Sequence, residues 1–122
     1  SSTRQTIRAL LAQGLVLACL IVQIPPEQVL RVIDGDTFIL MAFDVPPETR
    51  VRVLGVDTPE RGEPGYAEAG AFTRQWLARG PFMITTCERD SLLRRLGTVE
   101  RHGVGLHTEL IGAGHGVPRA HR

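Results

Sequence analysis

Carboxylate and guanidinium side chains at three places in this chain form a combination that suits catalysis. The first is DGDT at residues 34–37, in which two carboxylates flank a glycine that permits a sharp turn. The second is RVLGVDTPE at residues 52–60, which brings an arginine and two carboxylates out of a strand and the loop after it. The third is Arg94, in a polar connection before a short strand. These residue types are the ones that metal-assisted chemistry on a phosphate requires.

Two aspartates are candidate ligands for a hard cation. Calcium binds oxygen ligands, mainly carboxylates, backbone carbonyls and waters. Asp36 and Asp57 supply two carboxylates if the fold brings the turn and the loop together. Two carboxylates leave coordination positions for water and substrate, which suits catalysis better than tight structural binding.

Hydrolysis of a phosphodiester also needs charge stabilisation and an activated water. Arg52 and Arg94 each present a fork of donors that matches phosphate oxygens. Glu60 is the candidate that orients or deprotonates the water, which requires a reach of about 3 Å. No Cys, Ser–His or Lys arrangement offers a covalent route of similar quality.

Each segment has a simpler interpretation when it is taken alone. DGDT is also a plain turn, and residues 57–60 are also a loop that Thr and Asp bond to the local backbone. Arg52 is also compatible with a solvated strand residue, which is the interpretation given to Arg50. The conjunction of the three segments is more specific than any one of them.

Composition predicts a single globular domain without a strong basic field. The chain has 122 residues, of which 43% are hydrophobic and 22% charged. Its 14 basic residues nearly balance 13 acidic ones, so contact with phosphate has to come from a few placed residues. Every basic residue is an arginine.

The pattern of apolar residues predicts an α+β fold that is mainly β. Alternating and β-branched runs indicate five strands, and helical spacing indicates one long and one short helix. The predicted strands are 28–33, 37–43, 49–54, 82–87 and 96–100, and the predicted helices are 66–79 and 106–113. Short strands with one long helix favour a small five-stranded Greek-key barrel of the OB-fold type. This domain is predicted to span 27–118, followed by a tail at 119–122.

Residues 1–26 allow three interpretations: a secretory signal, a lipoprotein signal processed at Cys19, or a segment packed on the domain over an open sheet edge. The first two predict a secreted or cell-envelope protein, with a membrane contact only through a lipid on Cys19. The third is compatible with the cytoplasm. Cys19 and Cys87 lack a CxxC partner and are predicted to be independent, although pairing in an oxidising compartment is left open.

The charged segments resemble a known family. VIDGDT at 32–37 and VRVLGVDTPE at 51–60 are similar to the two signature stretches of the staphylococcal nuclease (thermonuclease) family. The likeness continues through YAEA at 66–69, ERD at 88–90 and LIGAGHG at 110–116. It implies an OB-fold nuclease, acting as a monomer, that uses Ca²⁺ to cleave DNA and RNA, preferably single-stranded. Water attacks directly, with no covalent intermediate.

The resemblance also implies a role for individual residues. Asp36 and Asp57 correspond to calcium ligands, and Thr58 corresponds to a residue that gives its backbone carbonyl to the ion. Glu60 corresponds to the proposed general base.

Arg52 and Arg94 correspond to the two arginines that bind the scissile phosphate. The family usually has an aromatic residue and a glycine before the second arginine, where this chain has Leu92 and Leu93. Leu93 cannot relieve a left-handed backbone as glycine does, so Arg94 is open to displacement and Arg95 is an alternative substrate contact. These departures leave a second interpretation, a non-catalytic module that binds nucleic acid or a protein partner.

Overall fold

The computed structural model describes residues 6–12, 15–41, 48–91 and 94–120. A single 3-10 turn at Pro26–Gln28 joins the second strand to the third. The helices are α1 (Tyr66–Ala78) and α2 (Leu106–Gly112). The strands are β1 (Thr6–Ala12), β2 (Leu15–Ile24), β3 (Val29–Asp34), β4 (Thr37–Met41), β5 (Glu48–Val53), β6 (Val56–Asp57), β7 (Phe82–Ser91), β8 (Arg94–Arg101), β9 (Val104–Gly105) and β10 (Val117–Pro118).

The strands form one large sheet and one small one. The large sheet has the order β1-β2-β7-β8-β5-β4-β3, with β9 added to β8, and the small sheet pairs β10 with β6. The β5–β8 pair is parallel, whereas the other pairs are antiparallel. The prediction of a mainly β α+β fold with one longer and one shorter helix is confirmed.

The predicted closed barrel is wrong for the described part of the chain. There the large sheet is open, and no ladder joins β3 to β7. The physical reason is that β2 takes the edge of β7: Leu20 to Ile24 pair with Thr86 to Phe82. An edge that already has a partner cannot accept the strand that would close the barrel.

The sheet is nevertheless strongly curved. β2 and β3 stand five strand spacings apart in the ladder order, which is roughly 24 Å in a flat sheet. The chain from Ile24 to Val29 spans at most about 18 Å even when fully extended. The sheet therefore curls so that its inner face encloses a single core.

That core joins the strands to both helices. Trp76 of α1 lies 6.1 Å from the ring centre of Phe82, which in turn lies 6.2 Å from Phe38. The indole Nε1 of Trp76 donates to Glu109 Oε1 of α2 at 2.8 Å. Trp76 is buried and Phe72 packs on the core, so both belong to the core-facing side of the helix.

Cys19 and Cys87 form a disulfide, so the prediction that they are independent is wrong. The reason is the β2–β7 register, which sets Leu20 opposite Thr86 and so brings the two cysteines opposite each other. This register could not be predicted from the sequence, because 68 positions separate the two cysteines. A sulfur in a disulfide carries no lipid, so the lipoprotein interpretation requires this bond to be open.

The segment before residue 27 contributes to the sheet and to the core. Residues 20–24 of β2 pair with β7, and Val22 and Ile24 are buried in the main core. Across the described residues, no helix is long and apolar enough to cross a membrane. Export of the chain stays a prediction.

Candidate active site

The turn between β3 and β4 meets the loop after β6. Asp36 Oδ2 accepts hydrogen bonds from the backbone N of Thr58 at 3.0 Å and from its Oγ1 at 3.2 Å. Gly35 allows this approach, because a Cβ there would lie 2.8 Å from Thr58 Cγ2 and 2.9 Å from Ala69 Cβ. The glycine of DGDT is therefore required by close packing against the loop and α1.

Helix α1 fixes the same turn from its other side. The Tyr66 hydroxyl donates to the carbonyl of Ile33 at 2.6 Å, and the Thr73 hydroxyl donates to the carbonyl of Gly35 at 2.6 Å. The backbone N of Val53 donates to the carbonyl of Asp36 at 2.8 Å. The turn is thus held by a helix and by a neighbouring strand.

Arg52 joins the turn to the loop. Its Nη1 donates to the carbonyls of Val53 at 2.7 Å and Val56 at 2.9 Å, and lies 3.4 Å from Asp36 Oδ2. Its Nη2 donates to Asp57 Oδ1 at 2.6 Å. We call four of these residues the Arg52 cluster: Asp36, Arg52, Asp57 and Thr58.

The cluster is unequally exposed. The side chains of Arg52 and Asp36 are 7% and 8% exposed, whereas that of Asp57 is 42% exposed. A buried guanidinium needs partners for its charge and its donors, and here carboxylates and carbonyls provide them. Asp57 is the member of the cluster that solvent and ligands reach most easily.

Arg119 also reaches this site, and sequence analysis missed it by assigning it to a tail. Its Nη1 lies 3.0 Å from Asp57 Oδ1, and its backbone N donates to the carbonyl of Gly55 at 3.1 Å. The β10–β6 pairing directs the chain there. Burial alone would raise the pKa of Asp57, but the hydrogen bond and charge of Arg119, with the charge of Arg52, lower it below its usual value. No local sequence signal marks a contact across 62 positions.

Asp34 stands beside the cluster as a third carboxylate. Burial, reinforced by the neighbouring Asp36, raises the pKa of Asp34 to about 7. The backbone N of Asp36 donates to Asp34 Oδ1 at 3.3 Å, which opposes that rise only in part. Asp34 therefore keeps its proton to a higher pH than an ordinary aspartate does.

The oxygen donors of the cluster fit calcium in kind. Asp36, Asp57 and the Thr58 carbonyl are hard ligands, the type this ion prefers. Over the described ranges, no group of three or more His, Cys, Asp or Glu side chains stands together as a metal site. An ion held by Asp36 and Asp57 would therefore take much of its coordination from water and substrate.

An open cleft of about 340 Å³ borders Asp57. Thr58, Pro59 and Glu63 form one side of it, and the chain around His115 forms the other. It gives solvent and small groups access to the exposed edge of the Arg52 cluster.

Glu60 lies in the loop of that cleft and is exposed. Its backbone N donates to Glu63 Oε1 at 2.7 Å, which tightens the turn after it. The Glu60 carboxylate makes no hydrogen bond or ion pair with any residue that the structure describes. The structure thus brings Glu60 near the cluster by chain connection, not by side-chain contact.

Arg94 lies apart from the Arg52 cluster. The parallel β5–β8 register sets it opposite Arg50, while Arg52 is opposite Leu96. Arg94 Nε lies 3.0 Å from Asp90 Oδ2 as an ion pair, in an orientation that makes no hydrogen bond. Within the described contacts, none joins Arg94 to the cluster.

Arg95 is set opposite Val51 of β5 and Arg89 of β7. Because Val51 points into the core, alternation along the strand directs Arg95 to the inner side and Arg94 to the outer side. The prediction about Leu92 and Leu93 lies outside the described residues.

Comparison with models of known protein families finds no match, and comparison with curated proteins finds none either.

Proposed function

We propose that this protein is a calcium-dependent nuclease that hydrolyses phosphodiester bonds of DNA and RNA by direct attack of water. The observation that carries the proposal is the convergence of Asp36 and Asp57 on the buried guanidinium of Arg52. Two carboxylates 21 positions apart in sequence thus meet at one arginine, and Asp57 is the member of this group that solvent reaches.

Arg52 is proposed to bind and polarise the reacting phosphate. Its Nη1 is already oriented by the carbonyls of Val53 and Val56 and its Nη2 by Asp57, so its position costs little to organise when substrate arrives. Asp36, Asp57 and the Thr58 carbonyl are proposed to hold the calcium ion. When bound, that ion supplies charge stabilisation to the phosphoryl oxygens.

Glu60 is proposed to orient and deprotonate the attacking water. It is exposed and has no ion-pair partner among the described residues, so its carboxylate is free to accept a proton. The cleft beside Asp57 is where a water and a sugar have room.

The fold is proposed to be an opened OB-type barrel. The five strands predicted from sequence run across the sheet as β3-β4-β5-β8-β7, with the β5–β8 pair parallel. This Greek-key order and the curvature of the sheet support the proposal. β2 then occupies the seam where β3 and β7 would meet.

The site of action is proposed to be an oxidising compartment, outside the cytoplasm. The Cys19–Cys87 disulfide supports this, because such bonds persist in secreted and envelope proteins. We propose that the protein acts as a monomer.

The proposal is tested by the release of acid-soluble nucleotides from denatured DNA in millimolar calcium, beside a sample with chelator. We expect calcium-dependent release that falls at least roughly 100-fold in Glu60→Gln. Glu100→Gln, an exposed carboxylate on β8, is the matched control and should keep full activity. Absence of release in calcium, manganese and magnesium from a folded sample would overturn the proposal.

A non-catalytic nucleic-acid-binding module is the second candidate. The observation in its favour is that Arg94 pairs with Asp90 and stands away from the Arg52 cluster. Folded protein that binds a single-stranded oligonucleotide, but cleaves none in any of the three ions, would assign this function instead.

A further inference from the structure

Arginines form a row across the outer face of the large sheet. The registers set Arg31 opposite Ile39, Ile39 opposite Arg50, and Arg50 opposite Arg94. Val51 is fully buried in the core, so its neighbour Arg50 points to the opposite, outer face. The row therefore presents three guanidiniums at one level across β3, β5 and β8.

Arg50 and Arg94 are direct neighbours on this face. Adjacent strands lie about 4.8 Å apart, and like charges set opposite each other destabilise a sheet. Asp90 compensates Arg94 at 3.0 Å, while Arg50 makes no hydrogen bond or ion pair with the described residues. Glu48 is on the same face two positions before Arg50, yet the two form no ion pair. Among the described residues, Arg50 thus has no partner for its donors.

A cleft of about 430 Å³ lies between these arginines. Arg50, Arg94, Asp90 and Ser91 line it. With Asp90 paired to Arg94, the cleft keeps one net positive charge, and its guanidinium and hydroxyl donors are suited to the non-bridging oxygens of a phosphodiester. A volume of this size also admits a sugar. We call this the Arg50–Arg94 cleft.

The cleft lies one step along β5 from the Arg52 cluster. Arg50 and Arg52 are two residues apart on the same face, which is roughly 6.6 Å of strand. A single phosphate is too small to contact both arginines well, whereas two consecutive phosphates of an extended nucleic-acid strand can each contact one of them. Arg52 and Arg50 thus lie at two positions along the path of one nucleic-acid strand.

We propose that the Arg50–Arg94 cleft is a second phosphate subsite, which holds the phosphate next to the one cleaved in a single-stranded nucleic acid. This inference rests on the proposed function and makes it more specific. The substrate class is then an oligonucleotide with at least two phosphodiesters, and a compound with one diester uses the Arg52 cluster alone.

The test compares two substrates and two arginine variants. In calcium, kcat/KM is measured for a single-stranded oligonucleotide and for thymidine 5′-(p-nitrophenyl phosphate), which has one diester. In chelator, binding of the labelled oligonucleotide is followed by fluorescence anisotropy over a range of salt concentrations. Arg50→Ala is compared with Arg74→Ala, an exposed arginine on α1, and thermal unfolding checks that both are folded.

We expect Arg50→Ala to lower kcat/KM about tenfold for the oligonucleotide and to leave the one-diester substrate unchanged. The slope of log affinity against log salt should shrink by about 0.7, the value for one phosphate contact on a single strand. Arg50→Lys should keep that slope, because it keeps the charge.

An Arg50→Ala protein that matches Arg74→Ala in salt slope and in both kcat/KM values would overturn the subsite while the nuclease stands. Loss of oligonucleotide affinity in Arg50→Ala, from a wild type that cleaves nothing, would support the subsite and overturn the proposed function. A wild type that neither cleaves nor binds would overturn both.

Discussion

The Arg52 cluster and the Arg50–Arg94 cleft use the same side chain in opposite ways. Arg52 is 7% exposed and is held by carboxylates and carbonyls on two sides. Arg50 is exposed, and Arg94 is 38% exposed with Asp90 as its ion-pair partner. Arg52 is therefore part of the folded framework. Arg50 lies two residues before it on the same strand and makes no hydrogen bond or ion pair with the described residues.

Two arginines on the same face of one strand thus have different surroundings, because the turn at Asp36 and the segment 56–57 cover only one of them. Three contacts of Arg52 lie within five residues along the chain, and only the contact to Asp36 comes from a distant turn. Together these contacts make the guanidinium part of the folded framework. A mutation there should change stability and activity together. A mutation in the Arg50–Arg94 cleft should change substrate preference alone.

Arg52→Ala is expected to give the largest loss of stability. It leaves Asp36 buried without its cationic partner, and breaking such a pair costs about 3–5 kcal/mol. Arg50→Ala is the matched control and should change the free energy of unfolding by no more than about 0.5 kcal/mol. Urea unfolding of both variants measures this, and equal stabilities would remove the distinction between the two regions.

Gly35→Ala is expected to lower the free energy of unfolding by about 1–3 kcal/mol, because the new Cβ overlaps Thr58 and Ala69. It should also displace Asp36 from Thr58 and so weaken calcium binding, measured by titration calorimetry. Gly112→Ala, at the end of α2 with nothing within 4 Å of the added Cβ, is the control. A Gly35→Ala protein with wild-type stability would show that the turn and loop are not closely packed.

Arg119→Ala is expected to raise the pKa of Asp57 toward its ordinary value, which carboxyl NMR titration measures. Since the folded pKa of Asp57 is lowered below 3.8, its stabilising effect is present above that pH and lost as pH falls through the folded value. The exposed ion pair contributes at most about 1 kcal/mol. Arg74→Ala should leave the Asp57 titration unchanged, and an unchanged titration in Arg119→Ala would remove Arg119 from the site.

Asp34→Asn is expected to have the smallest effect, visible as a change in pH dependence. Folded Asp34 has a pKa of about 7 against 3.8, so the folded state keeps a proton that the unfolded state releases between these values. The free energy of unfolding in chelator should therefore fall as pH rises from about 4 to about 7. Because Asp34 is only partly buried, we expect a change below about 1 kcal/mol. The Asn variant should lose this slope, and Glu100→Gln should keep it.

Both helices and five of the ten strands in the described residues could be predicted from the sequence because they depend on local patterns, whereas β1, β2 and the two-residue strands were not predicted. The alternation of residues around Arg52 predicted β5 to within a few residues. The helical spacing of apolar residues that include Trp76 did the same for α1. Pairing was different: β2 against β7, the Cys19–Cys87 bond and the approach of Arg119 depend on registers between distant segments. No spacing rule reports those registers.

The amino-acid pattern alone predicts five strands, both helices and the residue types available for phosphate chemistry, because hydrophobic periodicity and side-chain chemistry are local properties. Which charges meet depends on the tertiary fold. It put Asp36 and Asp57 on Arg52, set Arg94 beside Arg50, and brought Arg119 to Asp57. The physical reason is that the curvature and register of a sheet follow from the packing of its whole core, and the position of each charge follows from them.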